Sequence, residues 1–256
     1  MSKTKFWKQL LQFITVLLSV LFLREYMIGQ LLKNGAVDYS THMMLGFFSN
    51  IVLTLFSLYF IKNNKLGKLA GLKGTRTQKW FLLIFPLVYL VLLNIMVMDT
   101  IPTDNLLINC ATLAVYVISI GFAEELSIRG FLQSHLIKHF GGTSKKARLA
   151  VFASALFFGL VHLVKFDKGI YGELSQVAFA TFIGVMFGML LLVTKRLYPI
   201  IAIHAIIDFV AKLDAMGMPI NEKVTEAMSL TNAVFIMILV LPCLIYGIFL
   251  MKRYKI

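Results

Sequence analysis

Charge is scarce in this chain, and negative charge scarcer still. Only 14% of the 256 residues are Asp, Glu, Lys or Arg, and 12 acids stand against 25 bases. With 59% hydrophobic residues, that composition excludes a soluble domain of ordinary make-up. Cysteine is nearly absent: Cys110 and Cys243 both fall inside apolar runs with no paired spacing, which argues against a disulfide framework or a Cys-based metal site. There are no repeats, no low-complexity tract and no linker long enough to separate soluble domains. No small-residue cleavage site follows the first apolar run, where Arg24 and Glu25 stand instead, so that run reads as an uncleaved span and not a signal peptide. A net charge of +13 would suit nucleic acid if it formed one basic face, but the bases flank apolar runs. That points to the anionic membrane surface and away from nucleic acid.

What the chain has in abundance is apolar runs. They lie at about 10–23, 43–61, 80–98, 106–123, 149–164, 174–194, 198–213 and 231–251. Several exceed the roughly 18 residues needed to cross a bilayer, while those beginning at Leu149 and Tyr198 are short and carry polar residues that neighbours must shield. The pattern predicts an all-α, polytopic membrane bundle of about eight transmembrane helices, a single integral domain over 1–256, located as a multi-pass protein of the cell membrane among its lipids.

Charge between the runs tests that count. Eighteen bases fall on one side, in 3–8, 62–79, 138–148, 195–196 and 252–255, the last including Lys255; six fall on the other, namely Arg24, Lys33, Lys165, Lys168, Lys212 and Lys223. Nine loop acids, Glu222 and Glu226 among them, share the second side. The positive-inside rule then places both termini in the cytoplasm. Three acids are left over inside the apolar regions: Glu124, Glu125 and Asp208.

A buried ionised side chain costs about 2.5 to 3.5 kcal/mol on insertion scales, so such residues face a protein interior or a wet cavity and take a partner. In Gly121-Phe-Ala-Glu-Glu-Leu-Ser-Ile-Arg-Gly130, Glu125 and Arg129 are four apart with the acid first, the favourable order for an ion pair within a helix. Glu124 projects about 100° away from Glu125 and has no local cation, which favours a functional role over a structural one. Residues 129–140 turn amphipathic, as an interfacial continuation of the fourth helix would. The fifth run places His162 one turn after Phe158, against which it can pack, and a lone histidine there is ordinarily a packing residue. The seventh carries His204 and Asp208 on one face. His42, His135 and His139 read as solvated surface residues. Gly184 and Gly188 form a GxxxG pair, expected to serve close helix packing.

Glu124-Glu125-xxx-Arg129, Phe158-xxx-His162 and His204-xxx-Asp208, in that order and each at an apolar helix, resemble the CaaX-protease and bacteriocin-processing family of intramembrane proteases, also called the Abi or Rce1-like family. The resemblance covers a core at about 105–214. It implies an endopeptidase acting on a membrane-associated or lipidated peptide, in bacteriocin maturation, self-immunity or peptide signalling. It also implies Glu124 as the residue that polarises a water, with His162 beside it and His204 in the third motif, and Glu125, Arg129, Phe158 and Asp208 in support. The family commonly carries Asn where this chain has Asp208. An ionised aspartate accepts but does not donate, so its expected role is to orient His204 and not to hold an oxyanion. His162, His204 and Glu124 are also a zinc-ligand set with room for a water, so a zinc-dependent mechanism, the one preferred, and a metal-free glutamate mechanism both stay open. Two other readings compete: a non-catalytic immunity or scaffold protein of the same fold, and a proton-coupled transporter.

Overall fold

In hydrocarbon every backbone N–H and C=O must find its partner within the protein, which leaves an apolar run little choice but to be a helix. The computed structural model describes residues 3–35, 37–74, 76–220 and 227–254. Lys223, Glu222, Glu226 and Lys255, counted in the charge reading, lie outside them. Helix α1 runs Lys3–Leu32 and α2 Tyr39–Asn63, the latter capped by the Asp38 carboxylate, which accepts from the Thr41 N–H at 2.9 Å. A 3₁₀ turn, Trp80–Leu83, leads into α3, Ile84–Val97. Helix α4, Leu106–Glu125, passes without a break into a π-helical segment, Leu126–Gln133, and then α5, Ser134–Phe140. The last four are α6 (Ser144–Val161, closed by a 3₁₀ turn His162–Val164), α7 (Gly169–Thr194), α8 (Tyr198–Ala211) and α9 (Leu230–Arg253).

The result is a polytopic helical bundle. Among the described residues seven helices, counting α3 with its 3₁₀ turn and α4 to α5 as one, are long and apolar enough to cross a membrane. The eighth, α8, has 14 residues, about 21 Å at 1.5 Å per residue against a hydrocarbon core of about 30 Å. Helices α6 and α7 begin earlier than their apolar runs, because the polar first turns at Ser144 and Gly169 belong to the helix although hydropathy does not register them.

Helix α7 is the centre of the packing. Every residue from Ile183 to Thr194 is buried, and the helix lies between α6 and α9. The GxxxG pair acts as expected: a Cβ at Gly184 would stand 2.9 Å from the Ala155 Cβ, and one at Gly188 would stand 2.8 Å from Val151 Cγ1, so α6 sits directly on the two glycines. Gly184→Val is therefore expected to destabilise the bundle by about 1–3 kcal/mol through overpacking. A thermal unfolding curve in detergent tests this, and an unchanged midpoint would show that α6 has room to move.

The two ends of the bundle are held separately. At one end, Val37 and Ile220 exchange backbone hydrogen bonds of 2.8 Å, the Asp99 N–H donates to Asp214 Oδ2 at 3.2 Å, and the Met228 N–H donates to the Lys168 carbonyl at 3.0 Å. At the other, Lys138 Nζ donates to the Asn64 carbonyl at 2.6 Å, the Gln78 N–H donates to the Thr194 carbonyl at 2.9 Å, and Lys79 lies 3.9 Å from the centre of the Tyr254 ring. These contacts sort the loops between ends in the alternation that the run count predicts.

Two expectations are corrected. Residues 129–140 do not form an interfacial strip: every residue of 126–135 is buried, because α2 and α6, with Phe6, Leu10 and Phe13 of α1, enclose the π-helical segment. His135 is likewise not a surface residue. It is 0% exposed and stacks on Phe6 at 4.7 Å and Phe131 at 4.9 Å, while His139, half-buried, stacks on the other side of Phe6 at 4.1 Å. His42 is half-buried in the first turn of α2 and lines a cavity. In each case the covering group comes from a different helix, so the local pattern gives no sign of it.

Candidate active site

The acidic pair sits where α4 changes to π-helix, a wider turn that recurs at functional sites. The segment is pinned on three sides. Ser127 Oγ meets Ser57 Oγ of α2 at 2.9 Å, Gln133 Nε2 donates to the Gly188 carbonyl of α7 at 3.1 Å, and Ser134 Oγ donates to the Arg129 carbonyl at 3.0 Å. Within this frame Arg129 Nη1 donates to Glu125 Oε1 at 2.8 Å, with Arg129 1% and Glu125 0% exposed. The guanidinium lies 4.8 Å from the Phe158 ring centre and 5.6 Å from that of Phe187. The aromatic faces are thus attractive to the cation while keeping water away from it. The expected ion pair is present.

Helix α8 reaches the pair across Gly121. A Cβ there would stand 2.9 Å from the Ile201 carbonyl oxygen, so any larger residue one turn before Glu124 would push α8 away. The close approach brings His204 Nδ1 to 2.8 Å from Glu125 Oε1. Because a carboxylate accepts, Nδ1 carries the proton, and Nε2 faces outward to Glu124 Oε2 at 3.5 Å and Asp208 Oδ1 at 3.9 Å. Glu125, expected to serve only the ion pair, is thus also the group that orients His204. Asp208, expected to orient that ring, stands farther off and faces Lys212 Nζ at 3.5 Å. The sequence shows the i,i+4 neighbour of His204 but not the carboxylate a helix away.

His162 lies at the end of α6. Its Nδ1–H donates to the Phe158 carbonyl at 2.8 Å and its ring meets the Phe158 ring edge to face, at 4.9 Å and 81°. In the neutral ring that leaves Nε2 as an acceptor. Glu124, whose side chain is 35% exposed, and His162 line one cavity of about 210 Å³, together with Ser127 and apolar walls from Leu17, Leu53 and Ile128. So the structure joins Glu124, Glu125, Arg129 and His204 directly, sets His162 on the wall of the cavity that Glu124 also lines, and leaves Asp208 farther from His204. Gly121 and Ser127, inside the same ten-residue stretch, carry positioning contacts to α8 and α2 that no side-chain spacing announces.

Residues 105–210 match the family model described as Rce1-like, type II CAAX prenyl endopeptidase. The matched segment is similar to an Rce1-like domain. It runs from just before α4 to the last turn of α8 and contains all seven residues of the three motifs; α1 to α3 and α9 lie outside it. No curated protein and no solved structure matches the chain.

As placed, the side chains of the matched segment are not gathered as zinc ligands. Among the described residues no group of three or more His, Cys, Asp or Glu is arranged to hold a metal ion. His204 contacts Glu125 through Nδ1 and turns Nε2 toward two carboxylates, and His162 faces the cavity from another helix, without the tetrahedral convergence that zinc requires. No step below is routed through a metal.

Proposed function

We propose that this protein is an intramembrane endopeptidase in which Glu124 activates the attacking water. The observation that carries this reading is the division of labour in the acidic pair: Glu125 is fully buried and engaged by Arg129 and His204, whereas Glu124 is open to the cavity that His162 also lines. Amide hydrolysis needs a base for the water, a donor for the leaving amine and stabilisation of the tetrahedral oxyanion. Glu124 takes a proton from water as its oxygen bonds to the carbonyl carbon, and the carbonyl electron pair moves onto oxygen. The same proton passes to the amide nitrogen as the C–N bond breaks and the carbonyl re-forms.

The histidines serve this cycle from both sides. His162, its Nδ1–H committed to Phe158, presents Nε2 to the cavity, as an acceptor toward the water when neutral and as a donor to the oxyanion when protonated. His204, held by Glu125, turns Nε2 toward Glu124. When that nitrogen also carries a proton, two carboxylates are balanced by one guanidinium and one imidazolium, and the cluster is neutral. The substrate is a membrane-associated or lipidated peptide, and bacteriocin maturation, self-immunity and peptide signalling are settings such cleavage serves.

The reading is tested by comparing the peptides released from membranes of cells with and without the protein: products that vanish with it support hydrolysis, and identical profiles count against it. Asp208→Asn is a useful control. Since Glu125 and not Asp208 makes the 2.8 Å contact with His204, the substitution is expected to leave product formation largely intact, and its abolition would give Asp208 a direct part in the reaction.

A further inference from the structure

The catalytic cavity adjoins a second one. Arg24, Glu25, Lys165 and Asp167 line both the catalytic cavity and a second, larger one of about 770 Å³ that continues from it toward the Val37 and Ile220 bridge. All four belong to the end of the bundle that carries the α1–α2, α6–α7 and α8–α9 connections. In the opposite direction aromatic rings fill the space between the helices. One turn below Leu17 and Ile128 and two turns below Leu53, Phe13 packs on Phe131 at 4.1 Å and on Phe60 at 5.6 Å, and Phe60 packs on Phe131 at 5.3 Å. Below that plug lies the end that holds the basic loops, including the six bases of residues 62–79. Basic loops stay on the cytoplasmic side.

We propose that the site opens to the non-cytoplasmic face and takes an extended juxtamembrane peptide segment presented from that side. The rim suits such a segment better than an anionic ligand. Its charges are paired, Arg24 with Glu25 at 2.8 Å and Lys165 with Asp167 at 3.0 Å, so it offers both signs to a polar backbone. The walls beneath are apolar and suit the residues that continue into the bilayer. The direction of opening rests on cavity geometry and charge alone, while the nature of the substrate rests on the hydrolytic reading given above.

The test uses the full chain in intact cells, with Cys110 and Cys243 replaced by Ala. Single cysteines are placed at the mouth, Lys165→Cys and separately Lys168→Cys, and at the opposite end, Lys73→Cys, and are exposed to a membrane-impermeant sulfonated maleimide. Both mouth positions are expected to label fully in intact cells, and position 73 only after permeabilisation. Labelling of position 73 in intact cells, or silence of both mouth positions that nonetheless label in detergent, would overturn the proposed opening. A bulky maleimide fixed at position 165 from outside should also lower the release of peptide products, and unchanged release would overturn the mouth as the substrate's route. A Glu124→Gln variant that still releases the same peptides would instead overturn hydrolysis, a result on which the labelling does not depend.

Discussion

Glu124→Gln is expected to abolish peptide release while leaving protein abundance at the wild-type level. The substitution keeps the shape of the side chain and removes its charge together with its ability to take a proton. Glu124 is partly exposed to the cavity, and its nearest charged neighbour is His204 at 3.5 Å, so little folding energy depends on its charge. The chemical loss is of another order, since a positioned general base contributes about 10²–10⁴-fold to rate. His162→Ala and His204→Ala should each cause losses in the same range, the first by removing the imidazole from the cavity that Glu124 lines and the second by removing the ring that Glu125 holds. Because the three act on one step, any double variant should be little worse than the worse of its two single variants. The measurement is product formation per unit of inserted protein for three single and three double variants. Additive losses would separate the residues into independent roles. Full biological activity in Glu124→Gln at normal abundance would sink the protease and leave the non-catalytic reading of the same fold.

How much of this arrangement is legible in the sequence depends on how far along the chain the partners lie. The Glu125 and Arg129 pair, the packing of Phe158 on His162 and the GxxxG contact all follow from spacings of three or four residues on one helix, and all are present. The contacts that cross between helices are not encoded that way. His204 has an acid four residues on, which is visible, yet it is held by an acid 79 residues away, which is not. His135 looks like a surface residue because nothing near it in sequence supplies the Phe6 ring that covers it. The π-helical turn has no signature in side-chain periodicity, since its eight residues are buried all round. The positions that escaped reading are therefore small residues such as Gly121 and Ser127, whose roles consist of how closely another helix can approach.

Arg129→Ala is expected to lower protein abundance sharply, in contrast to Glu124→Gln. Arg129 is among the largest fully buried side chains in the molecule, and its guanidinium has Glu125 on one side and two aromatic rings within 6 Å. Removing one partner of such a buried pair costs about 3–5 kcal/mol, because the acid left behind has neither water nor a cation to replace it. Losing the ring contacts costs about 0.5–2 kcal/mol more. Against a total stability of about 5–15 kcal/mol for an ordinary domain, that is enough to unfold much of the population. The loss should also spread to the reaction centre, since Glu125 Oε1 receives both Arg129 and His204 and cannot hold the ring in place once its cation has gone. Arg129→Lys keeps the charge but not the planar fork, and should recover part of the abundance and less of the activity. Abundance in membranes and the unfolding midpoint in detergent measure the first effect, and product formation per folded molecule measures the second. An Arg129→Ala variant as abundant and stable as wild type would mean that the pair contributes nothing to folding. An equal loss in Glu124→Gln would make Glu124 as structural as its neighbour.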